Sequence, residues 1–414
     1  MNVISRISIK GACMLLIAAA GITTLISACT TLEKVSTPIE YVSFDQYQNE
    51  TRDHLLNNRS FQNPEKEIEL DWNAPNEWLP ETSSVEKPEK GILLVHGLGD
   101  SPWSFHDIAS ELASQGFLVR SILLPGHGTD PSDMLNVTAE DWRETVYQQA
   151  QALERDVDGE VYLGGFSTGA NLVLSYAYEN SKIAGLILFS PGFKSFSFGW
   201  LAPLVSTIRP WIIKPGPNVP SQTAVRYMNV PVNGYAQYYR TSVVAQKLLE
   251  QPYEKPVFMA VAQHDSVLDA EYLLNIFRNS FIHPKSRLIW YGDLSENIKG
   301  NSRILVRTDK IPEQRISQFS HMGLLFSPEN SLYGRNGSIG ICLNSMDRQR
   351  TDACEREENP WYSGWGYHEE GKIHARLTFN PYFEWQSSVM ISVLNENESS
   401  ANSRSVALNP HLYF

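Results

Sequence analysis

From residue 91 onward, short apolar runs alternate with amphipathic segments, and this alternation restricts the fold more than any other feature of the chain. The apolar runs, predicted to be strands, span residues 92–95, 118–124, 161–166, 186–189, 257–262 and 288–291. Helical patterns lie near residues 104–115, 139–155, 170–178 and 270–281. Thr138 and Asp141 form a capping box that predicts the start of the second helix. The alternation predicts an α/β fold whose mostly parallel sheet is covered by helices on both faces.

Two regions interrupt the alternation. Residues 194–252 are rich in aromatic residues and proline, and residues 325–380 hold two cysteines among many glycine, tyrosine and tryptophan residues. We interpret the first as a cap and the second as a late insertion. The predicted division of the chain is a leader at 1–28, a tether and lead-in at 29–90 with a short helix at 44–58, a domain at 91–395 that ends in a helix near 382–394, and a polar tail at 396–414.

The charge balance bears on the partners of the protein. Asp and Glu number 46 against 34 Lys and Arg, so the formal net charge is −12. An acidic surface repels phosphates, and the sequence has no basic cluster that would offset this repulsion. We therefore expect no nucleic-acid partner.

The first residues form a targeting signal. Arg6 and Lys10 precede an apolar run at 11–26 that is short for a membrane-spanning helix. The run ends in Ile-Ser-Ala-Cys at 26–29, which resembles the lipobox of bacterial lipoproteins. That resemblance implies cleavage before Cys29, acylation of Cys29 (palmitate among the chains) and a membrane tether in the bacterial cell envelope. Thr30 after the cysteine implies the outer membrane. A plain signal peptide or an uncleaved anchor remains the alternative.

Two cysteines remain once the leader and its lipidated residue are set aside. Cys342 and Cys354 lie twelve positions apart. In an oxidising compartment such a pair predicts a disulfide. A metal pair is the alternative, but two cysteines without nearby histidine make an incomplete zinc site.

The sharpest chemical signal is Gly-Phe-Ser-Thr-Gly at 165–169. It follows a predicted strand and opens a predicted helix, which is the context of a nucleophile elbow. Flanking glycines permit a sharp turn that lifts the Ser167 hydroxyl above the sheet, and the start of the helix directs backbone N–H groups toward it. The alternative is a structural turn with an unreactive serine.

With these residues in view, the chain resembles the α/β-hydrolase superfamily, and within it bacterial carboxylesterases and monoacylglycerol lipases. The matching segments are Leu-Leu-Val-His-Gly-Leu-Gly at 93–99, Leu-Pro-Gly-His-Gly-Thr at 124–129, Asp-Trp at 141–142, the elbow, and Phe-Ser-Pro-Gly at 189–192. The resemblance covers about residues 91–292 and the last helix. It implies the α/β-hydrolase fold and a serine hydrolase.

The resemblance also implies which residues assist Ser167, in the order serine, acid, histidine. Asp265, after the strand at 257–262, corresponds to the acid, and Asp269 is the second choice. The histidines beyond the acid are His283, His321, His368, His374 and His411. We assign the base to His321, which follows a strand-like stretch at 315–319, whereas His283 precedes the strand that the family's histidine follows. Residues 293–314 then form an insert, which we interpret as an added hairpin.

Two backbone groups complete the implied site. The N–H groups of Leu98 and Thr168 correspond to the oxyanion hole, whose donors stabilise the negative charge of the tetrahedral intermediate. His96 is interpreted as structural. His96, His106 and His127 lack the spacing of metal ligands, so we expect no metal and no cofactor.

These expectations combine into one prediction of function. The protein is predicted to be a membrane-tethered serine esterase or lipase that cleaves carboxylic esters of acyl chains through Ser167, His321 and Asp265. The expected partners are a small-molecule or lipid-derived ester and a membrane. The aromatic cap suits an acyl pocket, although its rings could simply pack onto the sheet. A thioesterase, an amidase, or a non-catalytic envelope protein that binds through residues 325–380 remain the alternatives.

Overall fold

The computed structural model describes residues 43–80, 87–194, 199–216, 221–296 and 298–395. Its strands are β1 (Asn76–Trp78), β2 (Lys90–Val95), β3 (Leu118–Ile122), β4 (Glu160–Phe166), β5 (Ile183–Phe189), β6 (Val257–Ala262), β7 (Arg287–Tyr291), β8 (Ile304–Arg307), β9 (Trp361–Ser363) and β10 (His374–Arg376). Its α-helices are α1 (Phe44–Asn58), α2 (Lys66–Asn73), α3 (His106–Ser114), α4 (Ala139–Asp156), α5 (Thr168–Glu179), α6 (Ala202–Ser206), α7 (Val232–Leu248), α8 (Ala270–Asn279), α9 (Arg348–Glu355) and α10 (Phe383–Leu394). The predicted leader, the lipidation site Cys29, the C-terminal tail and His411 lie outside the described residues. Within the described ranges, no helix has the length and apolar character needed to span a bilayer.

The main sheet places several loops along one edge. Its eight strands lie in the order β1-β3-β2-β4-β5-β6-β7-β8, and β1 alone runs antiparallel to its neighbour. In a parallel sheet, the carboxyl ends of the strands lie at the same edge, which is where ligands bind in α/β folds. The loops that follow β2, β4, β6 and β8 therefore meet there.

Both faces of the sheet are buried, as the apolar runs predict. In β2, the side chains of Leu93 and Val95 belong to one core cluster, while Ile92 and Leu94 belong to the cluster on the other face. This alternation follows from the two-residue period of a strand. Helices α4, α5 and α8 supply residues to the first cluster, and α3 and α10 supply residues to the second. The predicted mostly parallel sheet with flanking helices is confirmed.

Local capping signals also determine where helices begin. Helix α1 has the predicted bounds, with Ser43 as its cap. Thr138 and Asp141 form the reciprocal capping box at the start of α4. Here the short-range sequence pattern and the folded structure agree.

The predicted tether at residues 29–90 is wrong for residues 43–80, which pack onto the domain. Phe44 and Tyr47 of α1 are buried in the core cluster that contains β2. Strand β1 extends the sheet by pairing with β3. The proline-rich composition of the segment suggested a linker, but its few apolar residues suffice to fix α1 and β1 against the sheet.

The hairpin predicted at residues 293–314 is also wrong. Strand β8 pairs parallel to β7 and so forms the edge of the sheet. The stretch at 315–319 is not a strand: Ile316 makes isolated bridges to Ile311 and Tyr362. Arg315 has a left-handed backbone with a φ of 56°, which interrupts an extended conformation.

The late insertion is part of the core. The disulfide between Cys342 and Cys354 is present and joins a segment without regular secondary structure to α9. Leu325, Tyr333 and Phe379 are fully buried in the cluster that includes α3 and α10. Residues 325–380 are therefore integral to the domain.

A buried ion pair holds the N-terminal helices in place. The side chains of Arg59 and Glu69 are 1% and 0% exposed, and their charged atoms lie 2.6 Å apart. Arg59 also donates to the carbonyl oxygens of Gly128 and Ala224. The ion pair thereby connects α1 and α2 to the segments that border the carboxyl edge of the sheet.

We expect Arg59→Met to lower the free energy of unfolding by about 3 kcal/mol or more, because Glu69 would remain buried without its partner. Urea unfolding monitored by fluorescence measures this loss. Arg52→Met is the matched control, since Arg52 pairs with the exposed Glu67 and Asp71. That change should cost less than about 1 kcal/mol. Equal losses in the two variants would contradict the importance of the buried pair.

Candidate active site

Ser167 occupies a sharp turn between β4 and α5. Its φ of 53° is a left-handed backbone conformation that residues other than glycine adopt rarely. Three backbone hydrogen bonds hold it there: Ser167 donates to Phe189, and its carbonyl oxygen accepts from Ala170 and Gly192. Strained residues of this kind persist only where the surroundings fix them, and they cluster at functional sites.

The flanking glycines are required by close packing. A Cβ atom on Gly169 would lie 2.0 Å from the carbonyl oxygen of Val95, at the end of β2. A Cβ atom on Gly165 would lie 2.5 Å from the backbone of Ala170. Both distances are far below contact distance, so only glycine lets α5 start this close to β2 and β4.

Asp265 lies on the loop that follows β6, at residues 263–269, which we call the acid loop. Its Oδ1 accepts the N–H groups of Val267 and Leu268, and its Oδ2 lies 2.6 Å from Nδ1 of His321. The carboxylate is fully buried. The second choice, Asp269, instead caps α8 through the N–H of Tyr272 and forms an ion pair with Lys194.

His321 lies on the loop that follows β8, at residues 308–323, which we call the base loop. Its ring centroid is 5.0 Å from that of Phe166, the residue before Ser167, and its carbonyl oxygen accepts from the Ser190 hydroxyl. With Nδ1–H donated to Asp265, the neutral ring offers Nε2 as its proton acceptor. Among the contacts of the described residues, no hydrogen bond joins His321 to Ser167. Such bonds often tighten only when substrate binds.

The other histidines beyond the acid loop have different surroundings. His283 receives the N–H of Lys285 just before β7. His374 lies on β10 beside the Ser317 hydroxyl, and burial lowers its pKa. His368 is exposed. Within the described residues, only His321 faces Asp265.

The predicted oxyanion donors lie on either side of Ser167. Thr168 is the first residue of α5, so its N–H has no partner within the helix. A Cβ atom on Gly97 would lie 3.2 Å from Cβ of Ser167, so the loop that carries Leu98 touches the elbow. Among the described backbone hydrogen bonds, the Leu98 N–H is not a donor. The segments that carry the two predicted donors therefore lie directly against Ser167.

Two buried histidines hold this loop. His127 accepts the N–H of Gly99 at its Nε2, and His96 accepts the N–H of Leu124 at its Nε2. Burial lowers the pKa of both rings, in the case of His127 well below its usual value, and so favours their neutral forms. A neutral ring can accept a hydrogen bond, as both rings do here. The segments described here contain no group of three side chains able to hold a metal ion.

The late insertion supports the base loop. The Ser320 hydroxyl donates to the carbonyl oxygen of Leu377 at 2.5 Å, and the Ser317 N–H donates to Tyr362 on β9. The insertion thus fixes the irregular backbone that precedes His321. This role has no sequence signal, because it depends on contacts between segments about 50 residues apart.

Two further contacts border the site, and neither is predictable from the sequence. Tyr227 of the cap donates its backbone N–H to Gly99 at 2.6 Å and stacks on His127 with an interplanar angle of 3°. His264 and Asp309 form a second histidine–aspartate contact beside Asp265. In each contact the two residues lie dozens of positions apart in the sequence and belong to no motif, so the sequence does not indicate that they meet.

Comparison with known proteins adds to this geometry. Residues 86–279 match the family model described as "Serine aminopeptidase, S33". The match spans β2 to α8 and so includes the elbow and the acid loop. The chain has the α/β-hydrolase fold. The match also supports a hydrolase of that superfamily.

Individual relatives share part of the chain. The thermostable monoacylglycerol lipase of Bacillus sp. (strain H-257) is 33% identical over 103 residues, which cover 25% of this chain and 41% of the lipase. The chain thus matches less than half the length of that curated relative. Two solved structures are less similar. One is a metagenome-derived lipolytic enzyme described with LipS and LipT, with 22% identity and a TM-score of 0.42 over 53% of this chain and 87% of that chain. The other is a soluble variant of the Saccharomyces cerevisiae monoglyceride lipase, with 17% identity and a TM-score of 0.42 over 53% of this chain and 81% of that chain.

Proposed function

We propose that the protein is a serine hydrolase that cleaves carboxylic esters of acyl chains. The observation that carries the proposal is the buried Asp265–His321 pair on the loops that follow β6 and β8, at the edge of the sheet where Ser167 stands. A serine hydroxyl is a weak nucleophile near neutral pH and needs an oriented base. The pair supplies that base and its orientation.

In the proposed reaction, Ser167 attacks the ester carbonyl while His321 takes its proton at Nε2. The N–H groups of Leu98 and Thr168 stabilise the oxyanion, each by about 3 kcal/mol of barrier. His321 then donates the proton to the departing alcohol, leaving an acyl group on Ser167. A water molecule, deprotonated by His321, attacks the acyl carbonyl and releases the carboxylic acid. Asp265 keeps the imidazole in the required tautomer throughout.

Two observations favour lipid-derived esters as substrates. The curated relative over 103 residues is a monoacylglycerol lipase. The cap also exposes four large apolar side chains close together in the sequence, at Trp200, Leu204, Ile208 and Ile212, of which Ile208 is 79% exposed. Exposed apolar side chains at this density suit a protein that works beside lipid.

Amide bonds are the second candidate, because the matched family model is described as a serine aminopeptidase. The same triad can cleave esters, thioesters and amides, so the fold does not decide between them. Parallel assays with p-nitrophenyl esters and p-nitroanilides of the same acyl group distinguish the two.

We expect Ser167→Ala, His321→Gln and Asp265→Asn each to lower kcat on p-nitrophenyl esters by about 10³-fold or more. Esters of graded chain length, assayed with the full-length protein in detergent, measure this loss. Asp269→Asn is the matched control: the asparagine can still cap α8, only the ion pair with Lys194 is lost, and we expect activity to stay within about threefold. Full activity in Ser167→Ala, or equal losses in the two aspartate variants, would contradict the proposal.

We further propose that Cys29 is acylated and tethers the enzyme to the envelope of a bacterium, at the outer membrane. The support is the lipobox-like sequence at 26–29 and the threonine that follows it. Several acyl chains on one residue bind a bilayer stably, whereas one chain binds marginally.

Replacement of Cys29 by serine tests this tether. We expect the wild-type protein to incorporate radiolabelled palmitate and to sediment with membranes. Cys29→Ser should incorporate none and should lose most of its membrane association. Cys13→Ser is the matched control, since Cys13 lies within the predicted leader, and we expect it to behave as wild type. Palmitate incorporation into Cys29→Ser would contradict the assignment.

A further inference from the structure

A second histidine–aspartate pair lies directly beside the first. Nδ1 of His264 is 2.5 Å from Oδ2 of Asp309, and the Asp309 side chain is fully buried while His264 is 33% exposed. His264 precedes Asp265 in the acid loop, and Asp309 lies twelve residues before His321 in the base loop. Both pairs therefore connect the acid loop to the base loop. In the first pair the acid loop supplies the aspartate, and in the second pair it supplies the histidine.

The base loop needs such a connection because it has little regular structure. Between β8 and His321 it contains a single 3₁₀ turn at Pro312–Gln314 and the bridges made by Ile316. The contact with His264 fixes the start of this loop, and the hydroxyl contacts of Ser320 fix its end. Misplacement of a catalytic group by about 1 Å can cost about 100-fold in rate.

The late insertion contacts both the acid loop and the base loop near this pair. A Cβ atom on Gly364 would lie 3.2 Å from the carbonyl oxygen of Phe319 and 3.5 Å from that of His264. Gly364 belongs to the late insertion, just after β9. The backbones of the acid loop, the base loop and the insertion thus pack together near His264. A displacement of one of these segments would displace the other two.

We propose that His264 and Asp309 are positioning residues, whose contact holds the acid loop against the base loop and keeps His321 aligned for catalysis. This inference rests on the proposed function, because alignment matters only if His321 is the base. The fully buried Asp309 carboxylate requires a compensating charge, and its second oxygen, Oδ1, has no hydrogen-bond partner among the described residues. Protonated His264 supplies that charge.

The surroundings of His264 predict a pH dependence. Its hydrogen bond to Asp309 raises the pKa of His264, the nearby Asp293 acts in the same direction, and Lys310 and partial burial oppose them. In the acid loop, no charged residue lies between Asp265 and Asp269. The hydroxyl of Tyr367, in the late insertion, and that of Tyr382, just before α10, also interact with Asp309. A histidine with a raised pKa contributes its stabilising charge below that pKa and loses it as the pH rises. The alignment should therefore weaken in alkaline solution.

The experiment is the pH profile of kcat for ester hydrolysis by the full-length protein. In the wild type, we expect kcat to fall above the raised pKa of His264. In His264→Gln, we expect kcat at neutral pH to be about tenfold lower, with KM unchanged and without the alkaline decline. Asp309→Asn should behave in the same way. His54→Gln, at an exposed position on α1, is the matched control and should keep the wild-type profile.

Two further measurements, beside the pH profile of kcat, separate the possible outcomes. Urea unfolding at neutral pH shows whether each variant is folded, so that a purely structural loss is recognised. Labelling of the wild type by a fluorophosphonate tests the proposed function independently. A wild type that is neither labelled nor active would contradict the proposed function itself, not the positioning role of His264. If the wild type is active but His264→Gln, while folded, keeps its kcat or its alkaline decline, the positioning role is wrong.

Discussion

The site depends on one packing constraint, the close approach of helix α5 to strands β2 and β4 at the turn that holds Ser167. Gly169 lies so near the carbonyl oxygen of Val95 that a Cβ atom would come within 2.0 Å of it. This approach forces the left-handed backbone of Ser167 and brings the loop after β2 against the elbow. The positions of Ser167 and of the segments proposed to carry the oxyanion donors thus follow from one arrangement of strand, turn and helix.

Three other segments place the remaining residues of the site around the turn that holds Ser167. The acid loop supplies Asp265, the base loop supplies His321, and the cap supplies Tyr227, whose N–H donates to the carbonyl oxygen of Gly99, next to Leu98. The N-terminal helices support the cap in turn, because Arg59 donates to the carbonyl oxygen of Ala224. The chemistry of a few residues near the sheet edge therefore depends on segments from residue 44 to residue 380.

Local and periodic features of the fold could be predicted from the sequence, and long-range contacts could not. The strands were recognisable because both faces of the sheet are buried, which makes continuous apolar runs such as Val257–Ala262. Helix α1 and the capping box of α4 are set by short-range hydrogen bonds. The direction of strand β8 could not be predicted, because the pairing of a four-residue strand depends on its neighbour. The packing of residues 43–80 depends on Phe44 and Tyr47 reaching a core that no local pattern reveals.

The candidate site divides in the same way. Ser167 lies in a contiguous motif whose glycines have a local steric cause, so a sequence suffices to single it out. Asp265 and His321 were chosen by their order after particular strands, and the structure brings their side chains to 2.6 Å. The pair of His264 and Asp309 spans 45 positions and has no motif, so only the fold shows it.

The most direct test of the account is to locate the residue that a fluorophosphonate modifies in the folded protein. Peptide mapping by mass spectrometry after labelling identifies that residue without any assumption about the substrate. We expect a single adduct, on the peptide that contains Ser167. An adduct on another serine, or none in protein shown to be folded, would contradict it.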